Sequence, residues 1–520
     1  MRKLLFLLVI ILFTVSNFCS AQVTFQKAIG GTNPDWGNSV RPTTDGGYII
    51  EGTTISGSTF DYYTYLIKTN ANGDLTWTKT FLSWGQFGRD VQQTNDGGYI
   101  VLSASVFAGA PLLIKTDAAG DTLWTRDLAA DLVATGFSIQ QTSDNGYIIA
   151  GDQGSYQTSK IDTINALLVK TSSTGEIIWA KSYGGLKHDI GYSVQQTNDN
   201  GYILAGSATS FGTDSSDVYL VKTNAIGDTL WTKRYGGTRN DQGTSVKQTS
   251  DNGYIIVGTT TTSFGAGGND IYLIKTDSNG NLLWSKTYGG EGYDMGSGIQ
   301  ITTDGGFIIS GSTNSFGTNN IYFIKTDNLG NIEWSKTMNG GNPGTVVPTY
   351  DGGYIFTGYV ISNAVDQDVL LVKTDSEGNS GCNETDAATL TNSAATKMSG
   401  TATLVSSKYF KFYTAYPPEV GSVGTETTLC TTVGLHEIKT DNSLLISPNP
   451  SSGDFVLTFP GMINQGTVEI YTVMGEQIFS QAFTHSSNLE INFKNNSLGI
   501  YFVKVLDGER WYSQKVMIER

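Results

Sequence analysis

A short turn motif recurs seven times along the chain at nearly constant spacing. Each copy consists of an aspartate, a glycine or asparagine, a glycine and an aromatic residue, and the copies begin at Asp45, Asp96, Asp144, Asp199, Asp251, Asp304 and Asp351. Successive copies lie 47 to 55 residues apart. A Lys-Thr pair follows each turn, a glycine stands five residues after each lysine, and a tryptophan follows the first six glycines. A period of this length predicts an array of similar structural units.

Each unit is predicted to contain four short strands. In the fifth copy they are expected at 244–249, 254–259, 270–276 and 282–288, because these segments are rich in β-branched and aromatic residues. The turn residues Asn252 and Gly280 separate them, and both residue types tolerate a positive φ angle. Four short strands about every 50 residues are typical of a propeller blade, so the sequence predicts an all-β fold.

The seventh copy lacks the tryptophan that should mark its last strand. That strand is found at the other end of the chain, since residues 23–31 match residues 282–290, with Phe25 in the place of Trp284. An N-terminal strand that completes the last unit removes the open edges of the array. We therefore predict a seven-bladed β-propeller over residues 22–379, closed by the N-terminal strand.

Residues 1–21 have the layout of a secretory signal peptide. Arg2 and Lys3 precede an apolar run, and the small residues that follow it predict cleavage between Ala21 and Gln22. Lipid modification of Cys19 is the alternative interpretation, although bulky Phe18 precedes that cysteine. The apolar run is shorter than the roughly 20 residues needed to span a bilayer. No later segment is apolar enough to do so, and a chain without transmembrane segments is expected once the signal is removed.

Residues 380–440 are rich in Thr, Ser and Ala and lack the repeat motif. They are interpreted as an extended linker between the propeller and the tail. Two cysteines, Cys382 and Cys430, lie within it. In an oxidising compartment they predict one disulfide, with two free buried thiols as the alternative.

Candidate site residues are few. The net charge of −15 argues against nucleic acid as a partner, because phosphates require a basic face. Four aspartates each stand four residues after a glycine doublet, namely Asp35, Asp189, Asp241 and Asp294. They are weak candidates for binding Ca²⁺ or a sugar, since hard cations favour oxygen ligands; alternatively, each caps its own turn. We identify no catalytic residue and no further cofactor.

The segment from Tyr272 to Trp284 resembles the tryptophan-docking motif of quinoprotein-like propellers, and the Gly-Gly-aromatic turn resembles kelch repeats. Both resemblances cover residues 22–379. Quinoprotein dehydrogenases typically have eight blades and a vicinal cysteine pair, which this chain lacks. The resemblance therefore implies a fold and not a quinone-dependent reaction.

The tail, residues 441–520, is predicted to be a small β-sandwich of short strands. Its Ser-Pro-Asn-Pro opening at 447–450, its Gly-Ile-Tyr-Phe-Val strand at 499–503 and its closing Lys-Val strand resemble the C-terminal sorting domain of type IX secretion substrates. That resemblance implies the type IX machinery as a partner and a secreted or surface-attached protein. An ordinary adhesion-like module is the alternative.

Two functions are compatible with this organisation. The first is an exported binding protein whose propeller recognises an extracellular glycan or protein. The second is an extracellular polysaccharide hydrolase or lyase, which would need paired carboxylates or a His/Tyr pair on the axial face. Strongly repeated loops favour binding over catalysis, whereas a carboxylate pair that departs from the repeat consensus would favour an enzyme.

Overall fold

The structure, a computed structural model, describes residues 22–55, 61–82, 86–105, 111–128, 133–154, 163–211, 215–317, 320–341, 343–363, 366–381, 383–394, 396–400, 404–407, 419–421, 425–434, 444–472, 477–494, 497–507 and 510–519. Within these ranges the chain is all-β, with small antiparallel sheets and no helix, and so no described helix could span a membrane. The chain divides into two compact units, Met1–Gly434 and Leu435–Arg520.

The repeats fold into separate sheets in which strands follow chain order from one edge to the other. The first described strand is β1 (Gln22–Gly30). The first repeat forms β2 (Asp35–Pro42), β3 (Tyr48–Ile55), β4 (Tyr62–Thr69) and β5 (Leu75–Leu82). The second forms β6 (Gln86–Gln93), β7 (Tyr99–Ser105), β8 (Leu112–Thr116) and β9 (Thr122–Asp127). The third forms β10 (Val133–Gln141), β11 (Tyr147–Gly154), β12 (Ile164–Thr171) and β13 (Ile177–Gly184).

The later repeats have the same plan. The fourth forms β14 (Asp189–Gln196), β15 (Tyr202–Ala208), β16 (Asp217–Thr223) and β17 (Thr229–Gly236). The fifth forms β18 (Asp241–Gln248), β19 (Tyr254–Thr261), β20 (Asn269–Thr276) and β21 (Leu282–Gly289). The sixth forms β22 (Asp294–Ile301), β23 (Phe307–Thr313), β24 (Asn320–Thr326) and β25 (Ile332–Asn339). The seventh forms β26 (Val346–Pro348), β27 (Tyr354–Asn363) and β28 (Asp366–Thr374).

Strand β1 supplies the fourth strand of the seventh-repeat sheet. It pairs antiparallel with β28, with Phe25 opposite Lys373 and Ile29 opposite Val369. Phe25 lies in one buried cluster with residues of the first and seventh repeats, including Val40 and Leu371. The first and last repeats are therefore in contact, although more than 300 residues separate β2 from β28 in the sequence.

The segment predicted as an extended linker contributes edge strands, and we call residues 384–434 the belt. Its strands are β29 (Glu384–Asp386), β30 (Leu390–Ser393), β31 (Lys397–Gly400), β32 (Leu404–Ser407), β33 (Glu419–Gly421) and β34 (Thr425–Gly434). They pair in that order with β25, β21, β17, β13, β5 and β1. The belt thus returns past the repeats in reverse order and pairs with edges that would otherwise expose their backbone groups.

The repeated motif has a structural role in every repeat. The lysine of each Lys-Thr pair is buried and forms an ion pair with the turn aspartate of its own repeat at 2.7–3.0 Å, as in Lys68–Asp45 and Lys325–Asp304. Burial alone would raise the pKa of Asp45, but Lys68, Thr43 and the Gly47 N–H lower it to about 2. The second turn residue has a positive φ, 61° at Asn252, which explains the choice of Asn or Gly.

Each tryptophan packs on the positive-φ glycine of the next repeat. A Cβ on Gly120 would lie 2.8 Å from the Trp77 ring, and the same contact joins the later repeats in turn. Phe25 of β1 occupies the equivalent position against Gly73 of the first repeat, where the corresponding distance is 2.5 Å. The close approach of an aromatic ring explains why glycine stands at this point of each repeat.

The second unit is one sheet of β35 (Leu445–Ser447), β36 (Asp454–Thr472), β37 (Gln477–Asn492), β38 (Gly499–Asp507) and β39 (Arg510–Ile518). The order is β35-β36-β38-β39, and β37 pairs with β36. The register of β36 against β37 shifts between Thr458 and Ile463. Asn449 of the Ser-Pro-Asn-Pro motif donates to the Lys515 carbonyl at 2.7 Å.

Candidate functional site

The four candidate aspartates lie at the starts of first strands and are buried, with exposed fractions of 0–3%. Each accepts a hydrogen bond at 2.8–3.0 Å from the backbone N–H four residues earlier, in Asp35, Asp189, Asp241 and Asp294. Three of them also accept a bond from a serine of the following loop, as in Ser315 to Asp294 at 2.7 Å. Among the described residues no group of three or more Asp, Glu, His or Cys side chains is suited to hold a metal. The contacts are those of loop caps.

The other predicted positions are only partly covered by the structure. Cys382 and Ala21 lie outside the described residues. Gln22 is the buried first residue of β1 and pairs with Gly434 of the belt. The Cys430 sulfur lies 3.9 Å from the carbonyl oxygen of Ser380, two residues from Cys382 in the sequence.

A β-bulge interrupts the first strand in each of the first six repeats. The pairing with the second strand shifts across one residue, and we call these the bulge residues: Asn38, Arg89, Phe137, Tyr192, Thr244 and Ser297. All six are partly exposed, whereas the glycine before each of them is buried. Bulges redirect side chains and are common next to functional sites. The bulge residues differ in type, although the strand around them is repeated.

Three consecutive bulge residues form an aromatic and cationic surface. The Arg89 guanidinium lies over the Phe137 ring, 5.4 Å from its centroid. The Phe137 and Tyr192 centroids are 5.2 Å apart. The buried Nε of Arg89 has no hydrogen-bond partner among the described residues. The bulge residues of the first, fifth and sixth repeats are small or polar, so the aromatic and cationic surface is limited to the second, third and fourth repeats.

A buried glutamate lies beside Arg89. Glu51 is on β3, fully buried, and its carboxyl group packs directly over the Cα of Gly88. Neither Glu51 oxygen has a partner with hydrogen-bond geometry within the described ranges; the Asn38 amide nearby donates to the Thr53 hydroxyl and the Gly88 carbonyl. Burial, followed by the charge of Asp90, raises the pKa of Glu51 well above its usual range, against the opposing effects of Arg89 and the Asn38 amide.

A second group of charges joins three first strands. Asp90 accepts hydrogen bonds from Ser39 at 2.7 Å and Arg41 at 3.0 Å through one oxygen, and from the Ile139 N–H at 3.2 Å through the other. Lys247 comes from the fifth repeat. Burial, followed by the nearby Arg41 charge, lowers the pKa of Lys247 to about 8, and Asp90 opposes both. Charges from the first, second and fifth repeats are therefore close enough to influence one another.

These carboxyl groups are poorly placed for acid–base catalysis. Glu51 has no exposed surface, and both oxygens of the nearly buried Asp90 already accept hydrogen bonds. A general acid or base must come within hydrogen-bond reach of the substrate. Arg89, Phe137 and Tyr192 are partly exposed and can contact a ligand. The arrangement therefore favours recognition.

Replacing Glu51 by leucine is expected to increase the free energy of unfolding by about 1–3 kcal/mol, because it removes a buried polar group that lacks a partner. Leu102 occupies the equivalent position in the second repeat and is fully buried, so the repeat framework accommodates this side chain. Equilibrium unfolding in urea measures the difference. The reverse substitution, Leu102→Glu, is the control and should destabilise the fold. A Glu51→Leu variant less stable than the parent protein would contradict this account.

Glu51, Asp90 and Asp152 are not apparent from the repeated polar residues because they are exceptions to the repeat. The positions equivalent to Glu51 in the next four repeats hold Leu102, Ala150, Ala205 and Val257. Alignment of the first two strands of every unit reveals these exceptions. A cavity of about 340 Å³ elsewhere, near Phe316 and Asn383, has no charged residue in its lining.

The second unit matches a known domain family. The model of the secretion system C-terminal sorting domain matches residues 445–519, which include all of β35–β39. The predicted resemblance of the tail to a type IX sorting domain is therefore confirmed. The domain implies the type IX secretion machinery as a partner and export to the cell surface or the extracellular space.

The chain is also similar to two other proteins. Over 170 residues the chain is 29% identical to "Regulatory protein FlaEY" of Caulobacter vibrioides, and the aligned segment covers 28% of this chain and 18% of that protein. The chain thus spans less than a fifth of that relative's length. A solved structure titled "Biofilm associated protein - BSP domain" aligns over 93% of this chain and 96% of its own, at 9% identity and a TM-score of 0.13; so low a score carries no argument.

Proposed function

We propose that this chain is an exported binding protein in which the repeats form one closed seven-bladed β-propeller, and that the bulge residues bind an extracellular polysaccharide. The observation that carries this proposal is the contrast between a strictly repeated framework and six partly exposed bulge residues of different types. The lysines, aspartates and glycines that recur in the repeats stabilise the fold. The residues that differ at one equivalent position are available for recognition.

Ring closure is supported by contacts between the first and seventh repeats. Strand β1 lies between β28 and β34 in the sheet order. The Thr345 hydroxyl bonds to both the N–H and the carbonyl of Val40, at 2.9 and 3.2 Å. Phe25 packs on Gly73 as each tryptophan packs on the next repeat. The Arg41 charge lowers the pKa of Lys247, which agrees with an arrangement in which the first strands surround a common axis.

Two features of the chain ends fit an exported protein. A predicted cleavage before Gln22 would leave Gln22–Gly30, the described extent of β1, available for pairing. The 3.9 Å approach of the Cys430 sulfur to the Ser380 carbonyl supports a disulfide from Cys430 to Cys382, which would join the two ends of the belt. Such a disulfide would persist in the oxidising compartments through which the protein passes.

Deletion of residues 445–519 is expected to abolish delivery to the cell surface or medium and to leave the protein in the periplasm. The sorting domain supplies the signal that the outer-membrane step requires. Immunoblotting of medium, surface and periplasmic fractions from a host with a type IX system measures the distribution. Residues 435–520 fused to a periplasmic carrier provide the converse control, and export of the truncated chain at the parent level would contradict the proposal.

Recognition and catalysis are distinguished by incubating the mature protein, residues 22–520, with a panel of extracellular polysaccharides. We expect retention on affinity gels without release of shorter sugars, because the buried carboxyl groups of Glu51 and Asp90 cannot reach a substrate. Phe137→Ala and Tyr192→Ala should each weaken retention, since aromatic rings stack on sugars. New reducing or unsaturated ends would favour the alternative, a polysaccharide hydrolase or lyase.

A further inference from the structure

Three first strands carry a basic residue at or shortly after the bulge, namely Arg41, Arg89 and Lys247, in a chain whose net charge is −15. The first strands also hold aspartates, at the strand starts and at Asp90. The positions equivalent to Arg41 and Lys247 hold glutamines in four other repeats, namely Gln92, Gln140, Gln195 and Gln300. Arg41 and Lys247 therefore stand where the other repeats have a neutral residue, and Arg89 stands at a bulge. These three residues depart both from the repeat and from the acidic character of the chain.

Arg89 makes no ion pair with a carboxylate within the described residues, unlike Arg41. The two carboxyl groups that influence it are Glu51 and Asp152. Burial raises the pKa of Asp152, although Thr135 and Arg89 oppose the shift, and the pKa of Glu51 is raised further. Both groups are thereby shifted toward their neutral forms. Arg41, by contrast, forms a direct ion pair with Asp90 at 3.0 Å.

Unpartnered polar atoms are concentrated at the same place. The Arg89 Nε and both oxygens of the fully buried Glu51 have no hydrogen-bond partner in the described parts of the chain. The Phe137 and Tyr192 rings adjoin the guanidinium. An arginine fork matches the geometry of a carboxylate or sulfate group, and adjacent aromatic faces suit the apolar face of a sugar ring.

We propose that the ligand of the bulge residues is an acidic polysaccharide, and that Arg89 binds its carboxylate or sulfate group while Phe137 and Tyr192 contact the sugar ring. Lys247 adds a positive potential that attracts the same group. This inference rests on the proposed function and narrows its ligand class. A nucleic acid is disfavoured as the polyanion, because the rest of the chain is acidic and would repel a long phosphate backbone.

Polygalacturonate and its fully methyl-esterified form provide the test, because they share a backbone and differ in charge. Binding of each to residues 22–520 is measured by isothermal titration calorimetry in low and high salt. We expect the acid to bind at least tenfold more tightly than the ester, with an affinity that falls as salt increases. A sulfated galactan, compared with its desulfated form, distinguishes a preference for sulfate from one for carboxylate.

Arg89→Ala should remove most of the difference between the acid and the ester, whereas Arg89→Lys should retain part of it. The matched control is Arg126→Ala: Arg126 lies over Trp124 at 5.3 Å on β9, outside the bulge residues. Circular dichroism and thermal unfolding verify that each variant is folded. Equal binding of acid and ester, or an unchanged preference in folded Arg89→Ala, would overturn the acidic ligand but not polysaccharide binding. Failure to bind any polysaccharide would overturn both proposals.

Discussion

Replacement of Phe25 by alanine is expected to lower the free energy of unfolding of the Met1–Gly434 unit by about 3–5 kcal/mol, the range for truncation of a buried aromatic residue. Phe25 has no exposed surface, and its ring meets Tyr48 edge-on with the centroids 6.2 Å apart. The same ring covers Gly73. One side chain of β1 therefore fills the space between the seventh and first repeats. Equilibrium unfolding in urea, followed by tryptophan fluorescence, measures the loss.

Trp77→Ala is the matched control, since Trp77 makes the equivalent contact with Gly120 between the first and second repeats. Trp77 is partly exposed, so its truncation should cost less. If the repeats formed an open array, the first and seventh would not support each other. Phe25→Ala would then change stability by less than about 1 kcal/mol, as is usual for substitutions away from a packed core.

The repeated framework was predictable because its signals are local. The Asp-Gly/Asn-Gly turn, the alternating strand residues and the tryptophan positions each specify short-range geometry, and the expected strands of the fifth repeat lie within β18–β21 apart from a one-residue extension at the end of β18. The belt was not predictable in this way. Leu390–Ser393 pairs with β21 although all four side chains are exposed, so its pairing depends on backbone groups at a free edge and leaves no hydrophobic pattern.

The candidate site was not predictable for a different reason. Arg89 and Glu51 become significant only when their neighbours are known: Glu51 packs over Gly88 of the next repeat, and Arg89 over Phe137 of the one after. A sequence repeat shows which positions are equivalent. It does not show that a bulge exposes one of them, because the bulge follows from the register between two strands.

The Asp270→Asn variant is expected to be more stable than the parent protein at pH 8, by about 2–4 kcal/mol, and close to it at pH 4. Burial, together with the charge of Asp294, raises the pKa of Asp270 to about 7. The folded state therefore retains a proton that the unfolded chain has released. Stability should be greatest below the ordinary aspartate pKa and fall as the pH rises through about 7, each pKa unit being equivalent to about 1.4 kcal/mol. Asparagine removes the ionisation and hence this loss.

The Asp217→Asn variant tests whether the expected gain in stability at pH 8 requires that the buried aspartate has no cationic partner. Asp217 occupies the equivalent strand position in the fourth repeat, but Arg234 donates to it at 2.6 Å. Burial raises the pKa of Asp217 as well, but the Arg234 charge opposes the shift, and replacement of Asp217 leaves a largely buried guanidinium without its carboxylate. Urea unfolding of both variants between pH 4 and pH 8 should therefore show a smaller gain at pH 8 for Asp217→Asn than for Asp270→Asn, or a loss. If Asp270→Asn kept the parent's pH dependence, the Asp270–Asp294 pair would not be where the proton is held.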